Sequence, residues 1–222
     1  CTVELVKIEG NQVTFEVTAD EGYTFAGAFL NGTALSGMTF TLPQENAVLT
    51  VICNMSFGGG NGTQQDPFII STPEHLRALS AAINGAETFL SGEEQIAYAK
   101  AYYILGSDID LGGEQFAPIG NVQANAFGGT FDGNDHKISN LSVTSVGGTI
   151  GLFGNTIGAT IRDLTIENAV IKAGGMRAAV LVARAQATTI TNVTVSGSVE
   201  GTESLGGIVG IIAGEASIIN DC

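Results

Sequence analysis

Ile161-Arg162-Asp163-Leu164-Thr165-Ile166 decides how this chain folds, because the same six-residue phrase, apolar-x-Asn/Asp-apolar-Ser/Thr-apolar, returns along the second half. It reads Ile138-Ser-Asn140-Leu141-Ser-Val143 before that stretch and Ile190-Thr-Asn192-Val193-Thr-Val195 after it, and it begins again at Ile218-Ile-Asn220. The intervals are 161 − 138 = 23, 190 − 161 = 29 and 218 − 190 = 28. Repetition at that length points to a stacked architecture in which each unit covers the apolar face of the next. Within a copy the apolar side chains stand at offsets 0, 3 and 5. A straight strand buries only one parity, so the chain must bend between offsets 0 and 3. Asn or Asp sits at the bend, a residue that tolerates left-handed backbone angles. Stacking is expected to bring Asn140, Asp163, Asn192 and Asn220 above one another as a structural side-chain ladder.

A second phrase keeps step. Gly151-Leu-Phe-Gly154, Val180-Leu-Val-Ala183 and Gly207-Ile-Val-Gly210 precede successive copies of the first by ten, ten and eleven residues (161 − 151, 190 − 180, 218 − 207). Small residues flank an apolar pair, as expected where backbones turn or approach closely. Short β-branched runs with glycine turns, and no helical periodicity after residue 100, point to a parallel β-helix with several short strands per coil. A leucine-rich horseshoe fits worse, because the units lack its run of leucines.

These residues resemble the GLUG repeat of bacterial surface proteins, found in adhesin-like proteins and in the non-catalytic N-terminal regions of immunoglobulin A1 metallopeptidases. The lead-in is similar too: Gly59-Gly-Asn-Gly-Thr63, Asp66-Pro-Phe-Ile-Ile-Ser-Thr-Pro-Glu-His-Leu76, Asp108-Ile-Asp-Leu111, Pro118-Ile-Gly120, and Phe131-Asp-Gly-Asn134 with His136. The likeness covers residues 57 to 222; the copy at Val180 departs from it by replacing both glycines. The resemblance implies an extracellular cell-surface segment serving adhesion or display of another domain.

The first 56 residues follow a different rule. Val13, Phe15 and Val17 alternate with polar residues, Asp20-Glu-Gly22 reads as a turn, Asn31-Gly32 is a hairpin signal, and Phe40-Leu42 and Leu49-Val51 alternate again. This is a small antiparallel β module. The run from Phe15 to Phe25, with Asn31-Gly32 and Phe40-Thr-Leu-Pro43, resembles the internalin-type B repeat, a spacer in bacterial surface proteins. The run Gly58-Gly-Gly-Asn-Gly62 reads as a linker. After it, Thr72 can cap a helix with Pro73 in its first turn and Leu76, Leu79 and Ile83 on one face. Residues 93 to 100 read as a second helical segment. The whole is all-β: a right-handed parallel β-helix (solenoid) with a helical N-terminal cap over 57–222, its coils recurring near 138, 161, 190 and 218, preceded by the module at 1–56. A coil that starts at Ile218 and stops at Cys222 implies that the natural protein continues.

Chemistry is sparse. With 22 acidic against 8 basic residues the net charge is −14, which repels phosphate backbones and anionic lipid, so nucleic acid is not an expected partner. No stretch reaches the roughly 20 apolar residues that span a bilayer, so this segment is not expected to insert in a membrane. Asp108 and Asp110, with Asp132 or Asp135, carry the chemistry of a calcium site or an acid/base pair, but no ligand spacing accompanies them. His75 and His136 lack an HExxH context. Arg162, Lys172, Arg177 and Arg184 have no acidic constellation beside them in sequence. No catalytic, cofactor-binding or metal-binding residue is assigned, and no cofactor is expected. There is no Trp; Tyr102 and Tyr103 are the candidate sugar-stacking aromatics. Cys1 and Cys53 bracket the first module and are a possible disulfide, and Cys222 takes a Ser/Thr slot of the coil phrase. The expected partners are a host or microbial surface glycan or protein and further domains of the same polypeptide. The alternatives are a β-helical polysaccharide hydrolase or lyase and a carbohydrate-binding module.

Overall fold

The computed structural model describes residues 2–19, 23–44, 46–55, 57–85, 98–175, 177–214 and 216–222. The Asp20-Glu-Gly22 turn, residues 93–97 of the second helical segment and the Cys1–Cys53 pairing lie outside the described residues and side chains. The chain folds as two compact units, Cys1–Ser56 and Phe57–Cys222.

Among its described residues the first unit holds six strands in two antiparallel sheets. Strands β1 (Thr2–Glu9), β2 (Gln12–Thr18) and β5 (Thr39–Thr41) form one in the order β1-β2-β5, and β4 (Thr33–Ala34), β3 (Tyr23–Leu30) and β6 (Leu49–Met55) form the other in the order β4-β3-β6. Alternation on β2 buries Val13 and Phe15 while Glu16 faces out. Asn31 and Gly32 both take positive φ, 48° and 80°, so β3 and β4 are joined by the two-residue turn whose twist matches the strands. Asn31 also accepts the N–H of Val48 at 2.8 Å.

The second unit is a parallel β-solenoid of about four turns. Its first strand, β7 (Phe68–Ile70), is followed by helix α1 (Pro73–Asn84). Thr72 Oγ1 accepts the His75 N–H at 3.2 Å, and Gly85 ends the helix at φ 69°. Leu76, Leu79 and Ile83 are buried in the solenoid core. The adjoining flank is pinned by hydrogen bonds from Arg77 to Gln115 O (2.9 Å), Ser80 to Ala117 O (2.7 Å) and Asn84 to Pro118 O (2.8 Å). The glycine run is not a free joint. Gly58 N–H bonds Ile69 O, and Ile69 N–H bonds Gly59 O. A Cβ on Gly60 would stand 1.8 Å from Pro67 O, so glycine is there to let two backbones touch.

Each turn carries short strands in fixed columns. One column stacks β7, Tyr102–Leu105, Thr130–Asp132, Thr160–Arg162, Thr189–Thr191 and Ile218–Asn220; a second stacks Ile109–Asp110, Lys137–Ser139 and the segments from Thr165 and Thr194. Along most of the stack equivalent residues advance by 27 to 30 (161 − 131 = 30, 190 − 161 = 29, 166 − 138 = 28, 209 − 182 = 27), with longer steps from Phe68 to Tyr103 (103 − 68 = 35) and from Ile119 to Phe153 (153 − 119 = 34). Strand Thr160–Ala173 runs through three columns by turning at Asp163 and Asn168, both left-handed (φ 53° and 56°). The bend at offset 2 does what the phrase requires, for Ile161, Leu164 and Ile166 are each at most 1 % exposed. At roughly 1.5–3 kcal/mol for each fully buried large apolar side chain, these triplets are a principal source of the solenoid's cohesion.

The single ladder, however, is two. Ile138 pairs with Ile166, not with Ile161, so Asn140 stands over Asn168 at one corner while Asp163 and Asn192 share another. The interval of 23 joined different corners of neighbouring coils, because every left-handed corner makes the same demand on local sequence. In the last copy Ile190 pairs with Ile219, which moves the corner from Asn220 to Asp221 (φ 52°). The same shift takes Cys222 out of the Ser/Thr slot; it is a free, exposed thiol. The second phrase stacks in register through its irregular copy, since Phe153 pairs with Val182 and Val182 with Val209, and Ile119 bridges to Phe153. Pro118-Ile119-Gly120 is thus the first copy of that corner. Inside, Tyr103, Phe127, Phe153 and Phe131 form a continuous aromatic file with centroids 5.1–6.0 Å apart.

Candidate functional site

The carboxylates singled out from sequence are mostly spent on corners. Asp108 accepts the Lys137 N–H at 3.2 Å and lies 3.1 Å from His136 Nδ1. The backbone bond from Lys137, followed by the His136 contact, holds its carboxyl below the usual range. Asp110 accepts Asn140 Nδ2 at 2.7 Å and Gly112 N–H at 2.9 Å, and those bonds, Asn140 first, lower its pKa as well. A general acid needs the opposite shift. Asp132 accepts the Asn134 N–H at 2.8 Å and is ion-paired with Arg162, whose other nitrogen reaches Asp163 at 3.6 Å. A guanidinium therefore stands between those two carboxylates. His75 accepts the Ser71 N–H at 3.2 Å beside the helix cap. Among the described residues no group of three or more His, Cys, Asp or Glu side chains converges as metal ligands do. No helix among the described residues is long and apolar enough to cross a membrane.

The two tyrosines part company. Tyr103 points inward at 1 % exposure and donates its hydroxyl to Tyr98 O at 2.7 Å; burial raises its pKa well above the ordinary value. Its neighbour, by strand alternation, turns outward, and half-buried Tyr102 lines two adjoining clefts. One, of about 610 Å³, is bordered by Asn61, Thr63, Gln64, Gln65, Phe68 and Lys100. The other, about 390 Å³, runs over Thr130 and Thr160 to the Asp132–Arg162 pair. Gln64 and Tyr102 belong to both, so the clefts form one groove across the first column. A phenol ring flanked by amides, hydroxyls and one compensated ion pair is suited to holding a polyhydroxylated ligand: the ring covers an apolar sugar face and the amides exchange hydrogen bonds with hydroxyls. The sequence signalled Tyr102 but not Gln64, Asn61 or Gln65, which arrive through the loop folded against β7.

Arg177 and Arg184 occupy a separate cleft with Asn121, Thr149 and Asn155. Asn155 is 2 % exposed and donates to Gly120 O (2.9 Å) and Thr149 Oγ1 (2.7 Å). This buried polar post was not visible in the sequence. Lys172 follows the third column, apart from both clefts.

No family model matches the chain. Halomucin of Haloquadratum walsbyi is 33 % identical over 204 residues, covering 86 % of this chain and 2 % of that protein. The "Putative Gly-rich membrane protein" of Evansella cellulosilytica is 33 % identical over 133 residues, covering 56 % of this chain and 14 % of its own length. The chain therefore spans only a small part of these relatives. A crystal structure of a "putative immunoglobulin A1 protease" from Bacteroides ovatus aligns with a TM-score of 0.48 at 19 % identity, over 72 % of this chain and 57 % of that one.

Proposed function

We propose that this chain is a non-catalytic, extracellular segment of a cell-surface protein, of the GLUG-repeat type, that binds surface glycan through the Tyr102 groove and carries neighbouring domains of the same polypeptide. The observation that carries the reading is the groove itself: an outward tyrosine ringed by amides and hydroxyls, on a scaffold rigid enough to keep them in place. The relatives support the surface setting, one being described as a membrane protein and the other bearing a mucin's name. The acidic composition supports it too, since a net charge of −14 favours solubility over adsorption to phosphate surfaces. Against hydrolysis stand the two lowered carboxyls at Asp108 and Asp110 and the guanidinium between Asp132 and Asp163; glycoside cleavage needs an acid and a second free carboxylate on opposite sides of the scissile bond.

A glycan array probed with the wild-type chain and with Tyr102→Ala tests the proposal. Selective binding by the wild type, lost in a folded Tyr102→Ala protein, is the expected result. Equal binding by the two, or none by either, counts against the groove.

A further inference from the structure

The chain has four arginines, and two of them have no counter-charge among the described residues. Arg77 pairs with Glu114, and Arg162 with Asp132 and Asp163. Arg177 and Arg184 form no ion pair among the described residues, in a protein with 22 acidic side chains to choose from. They sit on strands Arg177–Ala179 and Val182–Gln186, on either side of the corner at Val180-Leu181, and face one cleft of about 380 Å³. That volume lies within the ~300–1,000 Å³ typical of small-ligand sites.

Arg184 shows what is missing. Its Nη2 donates to Gln186 Oε1 at 3.3 Å, but Nη1 is buried with no hydrogen-bond partner among the described residues. A buried, charged donor left unbonded is costly, and in native proteins such groups are met by water, an ion or a ligand. Thr149 and Asn155 bond each other in the wall of the cleft, and Gly147 and Gly148 leave its rim open, since a Cβ on either meets nothing within 4 Å. An open rim admits one unit of a polymer.

Guanidinium groups present paired N–H donors that match the two oxygens of a carboxylate or sulfate. We propose that Arg177 and Arg184 form a subsite for an acidic sugar, whose carboxylate or sulfate ester is held by the two guanidinium groups while Asn121 and the Thr149–Asn155 wall meet its hydroxyls. The site lies apart from the Tyr102 groove and goes beyond that reading. The overall negative charge disfavours densely charged polyanions at long range, so the fitting ligand carries its charges sparsely and is captured at short range.

Calorimetric titration of the full chain tests this, using a uronate oligosaccharide, a sulfated oligosaccharide, a neutral one of the same length, and inorganic sulfate. At least one acidic oligosaccharide binds ten-fold or more tightly than the neutral one; which of the two does so identifies carboxylate or sulfate ester. Arg177→Gln and Arg184→Gln each weaken that binding ten-fold or more and leave binding of the neutral oligosaccharide as in the wild type, which separates this site from the groove. Arg184→Gln melts at or above the wild-type temperature, because it removes a buried donor that has no partner. The proposal falls if acidic and neutral oligosaccharides bind alike, if the arginine variants bind as the wild type does, or if inorganic sulfate binds as tightly as the sugar. It falls equally if Arg184→Gln melts well below the wild type, since the arginine would then be a structural element.

Discussion

Replacing Asn192 with Leu isolates what a solenoid corner is made of. Two terms change. The side-chain amide donates to Asp163 Oδ1 of the coil below at 2.8 Å; the site is exposed, so the net worth of that bond is about 1 kcal/mol. The residue also sits at φ 53°, where an L side chain other than Asn or Asp costs roughly 1–2 kcal/mol. Asn192→Leu is therefore expected to cost about 2–3 kcal/mol, which for a unit of 166 residues (222 − 57 + 1) lowers Tm by roughly 5–10 °C. Two companions separate the terms. Asn192→Gly keeps the left-handed backbone and loses the bond, with a drop about half as large. Asn220→Leu, one residue short of the corner held by Asp221, changes Tm by no more than about 1–2 °C. Differential scanning calorimetry on the three variants decides the matter. An unchanged Tm for Asn192→Leu refutes the corner account, and a Tm for Asn220→Leu as low as that of Asn192→Leu refutes the register.

Close backbone approach gives a second expectation: a Cβ on Gly129 would stand 2.1 Å from Ala101 O, while one on Gly147 meets nothing within 4 Å. Gly129→Ala should therefore cost about 1–3 kcal/mol and Gly147→Ala less than about 0.5 kcal/mol, as read from denaturant midpoints. Acid supplies a third. The corner hydrogen bonds hold the carboxyls of Asp108 and Asp110 below the ordinary aspartate range, so their contribution is fully present above the unfolded pKa and is lost as pH falls through the lower folded values. Asp108→Asn/Asp110→Asn should weaken the protein at pH 6 and flatten its decline below pH ~4; an unaltered acid limb would show that the corner bonds do not matter. At the helix cap, Thr72→Ala removes the acceptor for His75 N–H and should cost about 1 kcal/mol by chemical denaturation.

The sequence spoke most clearly where structure is local. An apolar residue, a left-handed Asn or Asp and two more apolar positions describe a corner completely, so Asp163 and Asn192 could be recognised without knowing what lies above them. Register is different: Ile138 and Ile161 look alike because both precede a corner, and only inter-strand hydrogen bonding shows that they occupy different columns. The same holds at the end of the chain, where Ile218-Ile219 offers two apolar residues and only pairing with Ile190 selects the second. Strand alternation predicts that one of Tyr102 and Tyr103 faces out, but not which. The Arg184 cleft was out of reach, because its wall joins residues more than 25 positions apart (149 − 121 = 28, 184 − 155 = 29) and its defining feature, a donor without a partner, exists only after folding. Gly58 to Gly62 misled for a related reason: glycine serves flexible joints and tight backbone contacts alike, and here the contact is with Pro67 and Ile69.

The claim that this segment holds glycan without cutting it is tested most directly by one time course. The wild-type chain is incubated with the polysaccharide that the array selects, and bound fraction and polymer length are followed together. The account predicts saturable binding that Tyr102→Ala abolishes, with polymer length constant throughout. Progressive shortening of the polymer by the wild type, stopped by Asp132→Asn, would contradict it.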